Sequence, residues 1–235
     1  MCKALEGAAT GDLLLLPGCC HNPTGAALNR KQWDVIAELA ARKGLVPFVD
    51  LAYQGLGDGL DEDAYGARIL ARAVPELLLA YSCSKNFGLY RDRIGALLTV
   101  SPAPEQADAG LTHINNIARG IYSMPPAHGG ALVKTVLNDP ALYVQWRGEV
   151  DGMRNRIHTL RALLADTLKK LRAPRDFEFI KREYGMFSFL GVSKEQVLRL
   201  RTEFSIYMVD SSRINVAGVS PKNVEYLAKA IIAVL

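Results

Sequence analysis

The sequence predicts an α/β fold: a mostly parallel sheet, followed by a smaller α+β domain. Three observations carry that expectation. Over the first two-fifths of the chain, short apolar runs alternate with amphipathic helical stretches, the signature of βαβ units. Asn22, Asp50, Tyr53, Ser82 and Lys85 all follow the ends of those runs, where ligands sit in such sheets. Further along, the pattern changes to long helices and short strand-like pieces, which suggests one domain over residues 1–146 and another over 147–235.

Leu13 to Leu16 is a short apolar run stopped by Pro17-Gly18, as in a buried strand. Asn29 to Lys43 reads as a helix, because Trp33, Ile36, Ala37 and Ala40 fall on one face. Asn29 and Gln32 can form its capping box and Gly44 its end. Strand-like runs follow at Leu45 to Val49, Leu77 to Tyr81 and Ile94 to Val100, with a helical stretch from Glu62 to Ala73. Pro104 to Ile117, Gly129 to Leu137 and Ala141 to Leu171 read as helices, the last one connecting the domains. Phe177 to Ile180, Met186 to Leu190, Ile206 to Val209 and Arg213 to Ala217 read as strands, and Lys194 to Phe204 as a helix. A final helix is expected from Pro221 at the first helical position, with Ser220 as cap.

Bulk properties exclude several classes. The net charge of +4 is dispersed along the 235 residues, so it argues for neither nucleic acid nor an anionic membrane surface. Apolar runs are too short to span a bilayer, and the amino-terminal residues hold no apolar signal core. Cys2, Cys19, Cys20 and Cys83 form no C-x-x-C pair, which favours a reduced setting and, by default, the cytoplasm. His21, His113, His128 and His158 lack metal-ligand spacing, so no metal is expected.

Singly, the polar residues at the strand ends are weak signals, since a loop lysine is usually solvated and an Asn-Pro pair usually only turns the chain. Their combination fits the needs of pyridoxal chemistry. Lys85 supplies an amine for covalent attachment, and Asp50 a carboxylate to keep the pyridine nitrogen protonated. Asn22 and Tyr53 can donate to the phenolic oxygen, while Ser82, Ser84 and Arg93 can hold the phosphate. Arg213, beside a late strand, is the candidate fork for an amino acid's carboxylate.

His21-Asn22-Pro23-Thr24-Gly25, Asp50-Leu51-Ala52-Tyr53-Gln54-Gly55, Ser82 to Tyr90, Arg93-Ile94-Gly95 and Ser212 to Gly218 stand in the order of the motifs of a known family. With Gly185-Met186-Phe187-Ser188-Phe189, they resemble the aspartate/aromatic amino acid aminotransferases, class I members of the fold type I PLP-dependent transferases. The resemblance implies pyridoxal 5'-phosphate as cofactor and amino transfer between an aromatic or acidic L-amino acid and a 2-oxo acid. It also implies that Lys85 is both attachment point and proton carrier, and that Arg213 binds the α-carboxylate with Phe187 and Asn22 beside it. Arg119, expected just before a strand-like run, matches an arginine that reaches the partner subunit's substrate, so a homodimer is implied.

Three departures bear on the expectation. Met124 stands where dicarboxylate-specific members usually carry Asn, which leans toward broader or aromatic specificity. Pro17 stands where a His near the cofactor is common. Family members are also longer, and this chain corresponds to their carboxy-terminal portion. A phosphate-cradling loop and a ring-stacking aromatic then fall outside it, and the strand at Leu13 to Leu16 becomes an uncovered edge. The alternative to an active enzyme is a truncated, catalytically incomplete chain without turnover; a lyase or decarboxylase of the same fold is a third reading.

Overall fold

The computed structural model describes residues 2–235, which form two compact units. The first runs through Gly18 and continues with Leu28–Gly55 and Leu60–Glu149; the second holds Cys19–Ala27, Leu56–Gly59 and Val150–Leu235.

In the first unit, helix α1 (Cys2–Leu5) precedes strand β1 (Leu13–Pro17), helix α2 (Arg30–Lys43), strand β2 (Val46–Leu51), helices α3 (Leu60–Asp63) and α4 (Tyr65–Ala73), and strand β3 (Leu77–Ser82). Strand β4 (Gly95–Val100) and helices α5 (Pro104–Tyr122) and α6 (His128–Asn138) follow, then α7 (Pro140–Lys170), whose residues from Val150 onward belong to the second unit. The expected caps of α2 are present. Asn29 and Gln32 exchange side chain–backbone hydrogen bonds at 2.9 and 3.0 Å, and Gly44 ends the helix in the left-handed region at φ 63°.

The sheet has the order β1-β2-β3-β4, parallel across the first two pairs and antiparallel at the last. Its register pairs Leu16 with Val49, Asp50 with Ala80 and Ser82 with Gly95. Leu14, Leu16, Val49 and Leu77 face a core built with Trp33, Ile36 and Ala40 of α2 and Ala67 and Leu70 of α4. Gly66 permits that packing, because a Cβ there would overlap the Trp33 ring. Alternation along the strands turns Leu13, Leu15, Asp50 and Leu97 to the opposite face, which is open: Leu13 is 59% exposed and Leu15 66%. Parallel sheets are ordinarily covered on both faces. β1 is an edge strand, as the sequence leads one to expect.

In the second unit, helix α8 (Phe179–Arg182) and strand β5 (Phe187–Phe189) precede helix α9 (Lys194–Phe204), strand β6 (Arg213–Asn215), a 3₁₀ turn (Val216–Gly218) and helix α10 (Val224–Val234). β5 and β6 pair antiparallel, with Ser188 opposite Ile214. Leu160, Leu164 and Leu168 of α7 pack with Ile180, Leu190, Val197, Ile214 and Ile231.

Several sequence expectations need correction. Phe177 to Ile180 is not a strand. Both residues are buried at a separation of three, and the Ile180 amide donates to the Phe177 carbonyl at 3.1 Å, so the segment leads into α8. Ile206 to Val209 alternates half-buried and exposed as a strand would, yet has no ladder partner among the described residues. The last helix starts at Val224 rather than Pro221, because Ser220 and Asn223 close a turn first; the Asn223 side chain accepts from the Ser220 amide at 2.8 Å. Glu62 to Ala73 is two helices, and α5 runs on to Tyr122, so Arg119 lies in its last turn and not ahead of a strand.

Arg161 of α7 is buried and pairs with half-buried Glu183, whose carboxylate also accepts a hydrogen bond from the Ser188 hydroxyl. Burial pushes the Glu183 carboxyl up, although Ser188 and Arg161 pull it back. The folded chain therefore favours protonated Glu183 more than the unfolded chain does. That contribution to stability is present below the ordinary carboxylate range and is lost as pH rises through the raised value.

Two outcomes follow. The stability of the natural chain relative to Glu183→Gln should fall as pH rises from about 4.5 through the raised value, then level off, in denaturant titrations across pH. A difference that is flat or rising over that window would contradict the assignment. Gly66→Ala should cost about 1–3 kcal/mol of stability by overpacking against Trp33, read from denaturant midpoints.

Candidate active site

The first unit carries one group of the expected residues. β3 ends at Ser82, the chain turns through Cys83 to Gly88, and β4 returns antiparallel beside it. The Cys83 amide donates to the Ile94 carbonyl at 3.1 Å, and the Ser84 amide to the Ser82 hydroxyl at 3.2 Å. Ser82, Ser84 and Arg93 therefore come from two adjoining backbone segments. Arg93 is exposed, has φ 51°, and donates to the Tyr90 carbonyl at 3.2 Å.

Lys85 is half-buried, and its ammonium lies 4.7 Å from the centroid of the Tyr53 ring. Among the described residues it has no carboxylate partner, so the amine is not tied up in an ion pair. Asn86, 1% exposed, holds the surrounding loop. Its amide nitrogen donates to the Gln54 carbonyl at 3.1 Å and to the Tyr81 hydroxyl at 2.8 Å. Gln54 follows Tyr53, so one side chain fastens the Lys85 loop to the turn after β2. Asn86 Oδ1 is buried without a partner among the described residues. On the other side of the loop, Trp146 donates to the Asn86 carbonyl at 2.8 Å and stacks on Phe87 with centroids 4.4 Å apart.

Asp50 is exposed near the carboxyl end of β2, paired with Pro17 on one side and Ala80 on the other, with its side chain on the open face. Cys83 is buried, which pushes its thiol up and makes it a packing group rather than a nucleophile. Arg119 is exposed, and its guanidinium has no hydrogen-bond or ion-pair partner among the described residues.

A second group lies in the second unit. Arg213 opens β6, opposite Phe189. Its guanidinium donates to Asn22 Oδ1 at 2.9 Å and lies 4.7 Å from the centroid of the Phe187 ring. Asn22 belongs to a turn closed by the Gly25 amide on the His21 carbonyl at 2.7 Å and by His21 Nδ1 against the Thr24 hydroxyl at 2.8 Å. An arginine presses on an aromatic face with one of its five donors on a side-chain amide, and the planar fork can still take a carboxylate. The residues expected from sequence thus fall into two sets: Lys85, Tyr53, Asp50, Ser82, Ser84 and Arg93 in one unit, and Asn22, Phe187 and Arg213 in the other.

Sequence reading missed Asn86, Trp146 and Arg161. Arg161 left a signal, since it interrupts the apolar stripe of Ile157, Leu160, Leu164 and Leu168 on α7. A charged residue within such a stripe is buried for a reason.

Comparison with known proteins identifies the family. The model of the family "Aminotransferase class I and II" matches residues 1–231. An aspartate aminotransferase of Haemophilus influenzae is 51% identical over 231 residues, covering 98% of this chain and 58% of its own length. An aromatic-amino-acid aminotransferase of Paracoccus denitrificans is 47% identical over 233 residues, again 98% of this chain and 58% of that one. The crystal structure of an aromatic-amino-acid aminotransferase from Burkholderia pseudomallei, covalently bound to pyridoxal phosphate, superposes with a TM-score of 0.97 at 42% identity. It covers all of this chain and 59% of that one. The chain therefore spans somewhat under three-fifths of the proteins it resembles, and across nearly its whole length it belongs to the class I and II aminotransferases.

Proposed function

We propose that the chain serves a pyridoxal-phosphate-dependent aminotransferase of the EC 2.6.1 type, moving an amino group between an aromatic or acidic L-amino acid and a 2-oxo acid. The observation that carries this reading is Lys85: a half-buried amine, without a carboxylate partner among the described residues, held over the Tyr53 ring just past a strand end.

The donor set fits the cofactor. Lys85 provides the amine for its aldehyde, Asp50 a carboxylate for the ring nitrogen, and Tyr53 a donor for the phenolic oxygen. Ser82, Ser84 and Arg93 provide two hydroxyls and a cation for the phosphate. Bound there, pyridoxal phosphate supplies the electron sink that makes an amino acid's α-proton removable. Lys85 Nζ, as a free amine, would carry that proton from the α-carbon to the cofactor. Arg213 grips the α-carboxylate through its planar fork, while Asn22 and Phe187 hold the guanidinium in orientation.

In this reading residues 1–146 belong to the cofactor domain and 147–235 to the smaller one. The enzyme is a cytoplasmic homodimer in amino acid metabolism, with Arg119 serving the partner's substrate. Exposure of Arg119 at the end of α5 supports that last role. Among the described residues no helix is long and apolar enough to cross a membrane. A second reading, cofactor attachment without turnover, is favoured by the open sheet face.

Adding pyridoxal phosphate to the purified chain should produce a visible absorption band that Lys85→Ala abolishes; a band persisting in the folded variant would refute the Lys85 assignment. Where single-turnover conversion of an aromatic amino acid is seen, Lys85→Ala should slow it about 10²–10⁴-fold. A band without any conversion selects the second reading. Arg213→Lys should weaken binding of carboxylate substrates by about 1.5–3 kcal/mol, measured by titration, since a point charge cannot replace the fork.

A further inference from the structure

Arg161 is 1% exposed. Its Nε donates to the Gly185 carbonyl at 3.0 Å, and Nη1 to the Ile180 carbonyl at 3.0 Å and to Glu183 at 3.3 Å. Its Nη2 reaches the carbonyls of Tyr184 at 3.0 Å, Gly185 at 2.8 Å and Phe187. One guanidinium thus gathers four backbone carbonyls from the eight residues that end at Phe187. The adjoining turn is fastened to the same segment. The Tyr184 amide donates to the Gly25 carbonyl at 2.7 Å, and a Cβ at Gly25 would lie 2.7 Å from the Phe187 carbonyl and 3.0 Å from Arg161 Nη2. Gly25 also has φ 74°, a conformation that few other residues adopt readily.

The two segments locked in this way are the ones that touch Arg213. Phe187 lies under its guanidinium, and Asn22, in the turn closed by Gly25, accepts its hydrogen bond. Burying an arginine is costly unless every donor is satisfied, and leaving several carbonyls without theirs is costly too. The arrangement therefore has essentially one geometry available to it.

We propose that Arg161 is a positioning residue for the carboxylate site: by clamping the 180–187 backbone and, through it, the 21–25 turn, it sets the orientation of the Arg213 fork. This rests on the reading that Arg213 binds the substrate carboxylate. The role needs the forked guanidinium rather than a charge, because four carbonyls must be met from one planar group. Lysine keeps the charge opposite Glu183 but cannot span them.

The test uses the full chain with 3-phenylpropionate as probe, binding being followed by calorimetry, and the Arg213 Nε–Hε resonance by NMR. Arg161→Lys and Gly25→Ala should remain folded, weaken the probe about tenfold to a hundredfold, and shift the Arg213 resonance. Leu168→Ala, in the same helix and fully buried, should lower stability while leaving both readouts unchanged. If both lock variants bind as the natural chain does, with the Arg213 signal in place, the positioning role is wrong although the Arg213 reading stands. If the natural chain and Arg213→Ala bind the probe equally, the Arg213 reading fails and takes this inference with it. Restoration of both readouts by lysine would reduce Arg161 to a counter-charge and likewise overturn the proposal.

Discussion

The parallel pairing of β2 with β3 is the constraint on which the first unit depends. Its register puts Asp50 beside Ala80 and so determines where the Tyr53 turn and the Lys85 loop leave the sheet. Slipping one strand by a single residue would turn Asp50 into the α2–α4 core and Val49 out of it. Burial of Val49, Leu77 and their neighbours against Trp33 and Leu70 is what forbids the slip. A packing preference far from any reacting atom thus decides which side chains are offered at the strand ends.

The two units fix their loops by different chemistry. Around Lys85 the fastening is neutral: an asparagine amide bridges two segments, and its own oxygen has no partner among the described residues, a deficit of about 1–3 kcal/mol accepted for the geometry. Around Arg213 the fastening is ionic, with a buried guanidinium facing four carbonyls and a carboxylate whose ionisation burial opposes.

Much of this could be read from sequence where the signal is local. The cap of α2 rests on residues three apart, and its capping box forms. The run from Leu77 and the polar residues after it could likewise be read, since each strand end is marked by an abrupt loss of apolar pattern. What failed depended on distant partners. Ile206 to Val209 has strand alternation without a neighbour to pair with among the described residues, and the joint burial of Phe177 and Ile180 shows only in the core they share with Leu164 and Leu190. Arg161 escaped notice because the carbonyls that explain it lie some twenty residues downstream. The motif residues were found by their order, and their division between two units is visible only in three dimensions.

The Trp146 stack has a practical side. Of the chain's two tryptophans, Trp33 is sealed within the α2–α4 core, while Trp146 leans on Phe87 and hydrogen-bonds to the residue after Lys85. Nature has in effect installed a fluorophore on the loop of interest and a second one as an internal reference. Emission from the two indoles, separated by quenching or by replacing Trp33, distinguishes events at that loop from loosening of the core without any added dye.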